Sequence, residues 1–170
     1  MALINILAIG AGSLVVAAGL TFLAPRNVHV ERSAVLDATP AQILALAASN
    51  EGYQQFNPYK ATDPDLKIAF FGPSSGVGSG FSFEGKEGKG TQTVAQISES
   101  SVTYAIDLGP MGTPTQRLHV EPTDSGTRVT WSMDADMGLN PIARVIGLFM
   151  DGMMGKTFDT GLERLSNAAA

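Results

Sequence analysis

The run NPIARVIGLFMDGMMGKTFDTGLERL, Asn140 to Leu165, decides how the rest of the chain is read. Asn140 can accept a backbone N–H as an N-cap, and Pro141 suits the first helical position. Ile142, Val145, Ile146, Phe149, Met153, Leu162 and Leu165 then recur at steps of three, four or their multiples. That spacing predicts one long amphipathic helix packed on another layer. Gly147, Gly152, Gly155 and Gly161 lie inside it, each costing about 1 kcal/mol relative to Ala. A helix this rich in glycine needs tertiary support. The glycines either let it approach a sheet closely or leave room for a ligand.

Working back from that helix, the period changes to two. Asn27 to Leu36 reads as a first strand, and Thr39-Pro40 caps a short helix carrying Ile43, Leu44 and Ala47 on its apolar side. Ser49 to Phe56 gives a second short helix closed by Asn57-Pro58, and a loop is expected over Lys60 to Asp65. Strands follow around Leu66–Phe70, Phe81–Phe83, Gly90–Ser98, Ser101–Leu108, Thr115–Glu121 and Thr127–Met137, with Gly-, Pro- and Ser-rich turns between them. Connections this short imply antiparallel neighbours. Where Trp131 and Met133, Tyr104 and Ile106, Leu118 and Val120, or Phe81 and Phe83 face inward, Asp134, Asp136, Asp107, Arg117, His119, Glu121 and Glu84 fall outside. The inner face is therefore apolar with a few polar tips. It suits a core or a pocket for a greasy molecule and lacks the acid–base pair that catalysis needs.

Composition bounds the function. The chain has 170 residues, no cysteine, and 16 acidic against 11 basic residues for a net charge of −5. One domain is expected, without disulfides or a cysteine nucleophile, and no nucleic-acid partner is expected. Ala2 to Ala24 carry no charge, and as a helix they would span about 34 Å, a match to a bilayer core. The absence of a basic n-region argues against a cleaved secretory signal. Residues 1–25 are therefore expected to be a single transmembrane anchor and 26–170 the soluble domain. Arg26 and Arg32 follow the segment and no basic residue precedes it, which places the domain on the cytoplasmic side of a cell inner membrane. Gly10, Gly12 and Gly19 with Ala11, Ala17 and Ala18 offer a small-residue surface for another integral membrane protein.

The segment from about Val28 to Leu165 resembles the START-like superfamily with its helix-grip fold, and within it the bacterial polyketide cyclase/dehydrase-like proteins. The resemblance rests on Arg32-Ser33-Ala34-Val35 with Asp37-Ala38-Thr39-Pro40, then Tyr53-Gln54-Gln55-Phe56-Asn57-Pro58-Tyr59. It continues through Gly76-Val77-Gly78-Ser79-Gly80, Gly88-Lys89-Gly90, Thr127 to Met133, and Phe158-Asp159-Thr160-Gly161-Leu162. It implies an α+β fold in which a curved antiparallel sheet of about seven strands grips the long C-terminal helix. It also implies a hydrophobic pocket between them, of the kind that holds lipids, sterols, quinones or polyketides. The aromatic cluster, often tryptophan-rich in that branch, is here Tyr53, Phe56 and Tyr59.

The residues expected to line such a pocket are Phe56, Tyr59, Phe70, Phe81, Phe83, Tyr104, Trp131, Met133, Phe149 and Met153, with Tyr59 and Tyr104 bonding a polar head group. Met133, Met137, Met150, Met153 and Met154 would make it deformable. No catalytic residue, metal or cofactor is assigned. The Gly76–Gly80 run reads as a turn needing positive φ rather than a phosphate loop. The pairs Asp63/Asp65 and Asp134/Asp136, and the lone His29 and His119, read as solvated groups. The leading expectation is a membrane-anchored, non-catalytic binding protein for a lipid, isoprenoid or quinone. The rivals are an accessory subunit of a membrane complex and a cyclase or dehydratase.

Overall fold

The computed structural model describes residues 24–170. The strands are β1 (Asn27–Leu36), β2 (Lys67–Phe71), β3 (Gly80–Gly85), β4 (Gly88–Ile97), β5 (Ser101–Asp107), β6 (Thr115–Thr123) and β7 (Gly126–Asp136). Three short helices follow β1: α1 (Pro40–Ala47), α2 (Asn50–Phe56) and α3 (Tyr59–Thr62). Two more close the chain, α4 (Pro141–Gly147) and α5 (Met150–Ala169). All strands pair antiparallel in one sheet of order β1-β7-β6-β5-β4-β3-β2. The first strand thus closes against the last, with Arg32 opposite Trp131. This is the α+β helix-grip arrangement.

Local chemistry explains the elements. The Thr39 side chain accepts from the Gln42 N–H while the Gln42 side chain accepts from the Thr39 N–H, a reciprocal cap that starts α1. Ser49 caps α2 through the Gly52 N–H at 2.8 Å. The turn before β3 uses Gly76 and Gly78 at φ 94° and 86°, conformations open to glycine. It is bonded to the α1–α2 corner through the Gly76 N–H to Ala48 and the Asn50 N–H to Ser74. Inward and outward positions alternate as strand parity requires, and Asp107, Arg117, His119, Glu121, Glu84, Asp134 and Asp136 are all exposed.

Two expectations need correction. Residues over Lys60–Asp65 are not all loop, because Tyr59–Thr62 form one helical turn. The long helix from Asn140 is two helices. Asn140 does cap the start, its side-chain oxygen accepting from the Ile142 and Ala143 N–H groups. The helix then tightens, with Leu148 and Phe149 donating to carbonyls three residues back, and α5 restarts at Met150. Gly147 sits where a Cβ would lie 2.8 Å from Val28, so α4 lies against the starting end of β1. Ile146 to Met150 are apolar apart from one glycine, and periodicity carries no mark of a break there.

The stripe that α5 buries is Gly155, Phe158, Gly161, Leu162, Leu165 and Ala169. Two of its members are glycines, and they show what the glycines do. An added Cβ at Gly155 would meet the Arg32 guanidinium, and at Gly161 it would meet Trp131. Arg32 crosses from β1 to α5 and pairs with Asp151, at 2.9 and 3.0 Å, inside the space Gly155 leaves. Close approach to the sheet, rather than room for a ligand, accounts for Gly147, Gly155 and Gly161, whereas Gly152 faces open space.

The expected anchor, apart from Ala24 and Pro25, lies outside the described residues. Among the described residues no helix is long and apolar enough to cross a membrane.

The glycines give a paired test. Gly161→Ala should destabilise the fold by about 1–2 kcal/mol, overpacking against Trp131 outweighing the gain in helix propensity. Gly152→Ala should stabilise it by about 0.5–1 kcal/mol. Urea denaturation midpoints of the two variants, moving in opposite directions, check both.

Candidate functional site in the grip

The space between α5 and the sheet is filled by the chain's own rings. Trp131 stacks on Phe158 with centroids 5.1 Å apart and planes 8° from parallel, and Phe56 meets its ring at 5.7 Å, edge to face. Tyr53 touches Phe56, Phe81, Tyr104 and Trp131, at 4.8, 5.3, 5.5 and 6.2 Å. Arrangements of this kind add about 0.5–1.5 kcal/mol per pair beyond area burial. A space of about 10 Å³, comparable to one water molecule, remains beside Tyr53, Tyr104, Gln92 and Ser79.

The polar tips are mostly committed. Tyr104 donates from its hydroxyl to the Ala47 carbonyl at 2.8 Å, and Trp131 Nε1 donates to Gln116 at 3.0 Å. Asn57 donates to Gln54 at 2.9 Å. Tyr53 is bonded to Gln92, yet burial still pushes its phenol well up. Burial likewise raises Tyr104, and it pushes Tyr59 up to about 12, with Glu87 adding to the effect. None of these hydroxyls exchanges a proton near neutral pH. The Ser79 Oγ and Gln54 Nε2 are buried without a protein partner.

The ten residues expected to line a pocket separate into three places. Phe56, Phe81, Tyr104, Trp131 and Met133 are buried together in the core, with Phe83 packed at its margin. Tyr59 is half-buried at the start of α3. Phe70, Phe149 and Met153 are exposed and do not join the others. Phe149 and Met153 lie off the face that α5 buries, which runs through Gly155, Phe158, Gly161, Leu162 and Leu165. Tyr53, the ring that touches four others, was not among the ten. Its spacing of three from Phe56 on one helical face was the clue.

A shallow groove of about 560 Å³ lies elsewhere, along β2 to β5 and the 3₁₀ turn Gly109–Met111. By strand parity most of its side chains, including Lys67, Glu84, Lys89 and Asp107, belong to the outer face of the sheet. It is a charged surface feature rather than the grip.

Other candidate groups have structural partners. Asp63 is buried and accepts from the Asp65 and Lys86 N–H groups, fixing the loop between α3 and β2. Asp136 pairs with Arg26 at 2.6 Å, and this bond, helped by the Gly138 N–H, lowers its pKa to about 2. His29 bonds Asp134 at 2.7 Å, chiefly by which its pKa is raised above the ordinary 6.5. His119 is exposed. Among the described residues no group of three or more His, Cys, Asp or Glu side chains is placed to hold a metal ion.

With this geometry in view, the family described as "Polyketide cyclase / dehydrase and lipid transport" matches residues 27–170. The chain belongs to that family. Comparison with curated proteins gives no match. Among solved structures, the di-domain ARO/CYC StfQ from the steffimycin biosynthetic pathway aligns with TM-score 0.63 at 9% identity, over 84% of this chain and 50% of that one. This chain therefore spans half the length of StfQ. KanY aligns with TM-score 0.64 at 16% identity, over 84% of this chain and 97% of that one. Truncated norcoclaurine synthase from Thalictrum flavum aligns with TM-score 0.62 at 15% identity, over 82% and 91%. At these identities the likeness is one of fold.

Two outcomes follow from the partners. Tyr104→Phe should cost about 1 kcal/mol of stability by leaving the Ala47 carbonyl unpaired, and should leave ligand affinity unchanged, because the hydroxyl is already engaged. Chemical denaturation read beside binding separates the two effects. For His29 the raised folded pKa means that its contribution is full below 6.5 and lost as pH rises through the folded value. Asp134→Asn should bring the His29 titration back toward 6.5, as read by NMR of the ring protons.

Proposed function

We propose that this family member binds a hydrophobic small molecule, a lipid, isoprenoid or quinone, without catalysing a reaction, while its N-terminal segment holds it to a bacterial inner membrane with the domain on the cytoplasmic side. The observation that carries the reading is the apolar end of the grip at the start of α5. Met150 and Met154 are half-buried against the aromatic core there, with Leu148, Phe149 and Met153 exposed around them. Methionine side chains are unbranched and polarisable, so they repack around varied apolar shapes at low cost. A ligand would enter by displacing them, since the grip behind is filled. This end also adjoins the point where the uncharged segment meets the domain, because the Arg26 carbonyl accepts from the Met137 N–H at 2.8 Å. A greasy ligand drawn from a bilayer would meet this end first.

Non-catalytic binding is supported by the chemistry of the inner face. The buried polar side chains around the grip include Tyr53, Tyr104, Gln54, Asn57, Ser79, Gln92 and Gln116, and a cyclase or dehydratase needs a group that gains and loses a proton near pH 7. The names of StfQ and norcoclaurine synthase keep the enzyme reading as a rival. A second reading, an accessory subunit docked through its N-terminal segment, is favoured by one observation, the grip closed to about 10 Å³. It coexists with binding if a partner opens the grip.

The test is mass spectrometry of the organic extract from full-length protein purified in mild detergent, against a control carrying only the N-terminal segment. One lipid, isoprenoid or quinone enriched near one per chain is the expected result. An extract identical to the control would sink the binding reading and leave the accessory subunit.

A further inference from the structure

Seven of the large apolar side chains exposed on the described domain fall between residues 139 and 153: Leu139, Ile142, Val145, Ile146, Leu148, Phe149 and Met153. Leu139 is 74% exposed, Ile142 71%, Phe149 64% and Met153 61%. Ile142 and Ile146 step by four along α4, Phe149 and Met153 step by four into the first turn of α5, and all four are exposed. The other side of α4 is occupied by protein. Gly147 lies on Val28 and Met137, and the Arg144 Nε donates to the Gly138 carbonyl at 2.9 Å. An apolar stripe of this size on one face of a short helix marks a contact surface.

What covers it is indicated by where the chain goes. Backward from β1 the described domain ends at Ala24, and Arg26 is pinned beside the foot of α4. Its carbonyl accepts from Met137, and its guanidinium holds Asp136. Residues 2–24 are uncharged. If that segment is seated in a bilayer, Pro25 and Arg26 are the whole linker, and at about 3.5 Å per residue they reach roughly 7 Å. A helix with its side chains is about 10–12 Å across. The tether is thus too short for α4 to stand clear of the headgroups. Within residues 139–153 the charged side chains are one Arg144 and one Asp151, so apolar burial rather than attraction to anionic lipid drives the contact.

We infer that α4 and the first turn of α5 lie in the membrane interface, with Ile142, Ile146, Phe149 and Met153 inserted at the boundary of headgroups and acyl chains. The inference rests on the reading of residues 1–23 as a membrane segment and adds a second contact to it. Two contacts fix the orientation of the domain on the bilayer, and they set the methionine end of the grip directly at the lipid.

The absence of cysteine from the sequence makes single-site labelling clean. Val15→Cys, Ile146→Cys, Phe149→Cys and Glu121→Cys, each in the full chain, are spin-labelled and reconstituted in phosphatidylcholine vesicles. Relaxation by oxygen, which concentrates in the bilayer, is compared with relaxation by a water-soluble nickel chelate. The expected result is a shift of the oxygen-to-nickel ratio toward oxygen at 146 and 149 relative to 121, with 15 also lipid-like. A lipid-like 15 with 146 and 149 as nickel-accessible as 121 overturns the interfacial contact and spares the anchor. A water-exposed 15 overturns the anchor and the contact with it. Shielding of 146 and 149 from both reagents, in detergent as well as in vesicles, means that protein covers the stripe, and it also overturns the proposal.

Discussion

The contact between Trp131 and Gly161 is the constraint on which the rest of this structure depends. The indole lies on the inner face of β7, flat against Phe158 and edge-on to Phe56. Its ring reaches so far toward α5 that any side chain at position 161 would collide with it. The glycine costs helix stability, and the large buried area of the indole offsets that cost. The indole N–H would be an expensive orphan at this depth, and Gln116 on the neighbouring strand answers it. One ring therefore sets the distance between layers, the sequence of the gripping helix and the polar residue on β6.

The same logic accounts for the closed grip. Tyr53 and Phe56 come from α2, Phe81 from β3, Tyr104 from β5, and together they fill the volume that a greasy ligand would need. The hydroxyl of Tyr104 ties the sheet to the end of α1, so this polar tip serves the fold. Adaptability is left to one end, where methionines rather than rings meet the core. The domain thus combines a rigid aromatic interior with a soft apolar margin, and the margin adjoins the entry of the N-terminal segment.

Most of the fold was legible in the sequence, for definite reasons. Each strand has one face in the core, so alternation located it, and Thr39, Ser49 and Asn140 are caps whose side chains make the bonds their types suggest. The break between α4 and α5 was not legible, because Ile146 to Met150 are apolar apart from Gly147 and give periodicity nothing to register. The site was legible by half. Phe56, Phe81, Tyr104, Trp131 and Met133 converge because strand parity and helix periodicity both point them inward. Phe149 and Met153 were misplaced because periodicity counts hydrophobic residues, and the stripe that α5 buries runs through Gly155 and Gly161, which carry no hydrophobic mark.

The pairing of the first strand with the last has a consequence for how the protein is made. Ser33 bonds to Thr130, 97 positions later, so β1 has no neighbour in the sheet until nearly the whole chain is synthesised. At about 5–20 residues per second, that strand waits on the order of 5–20 s beside the ribosome. The sheet therefore closes only once nearly all of the domain has been made, and until then β1 stays an open edge with its hydrogen-bonding groups unpaired.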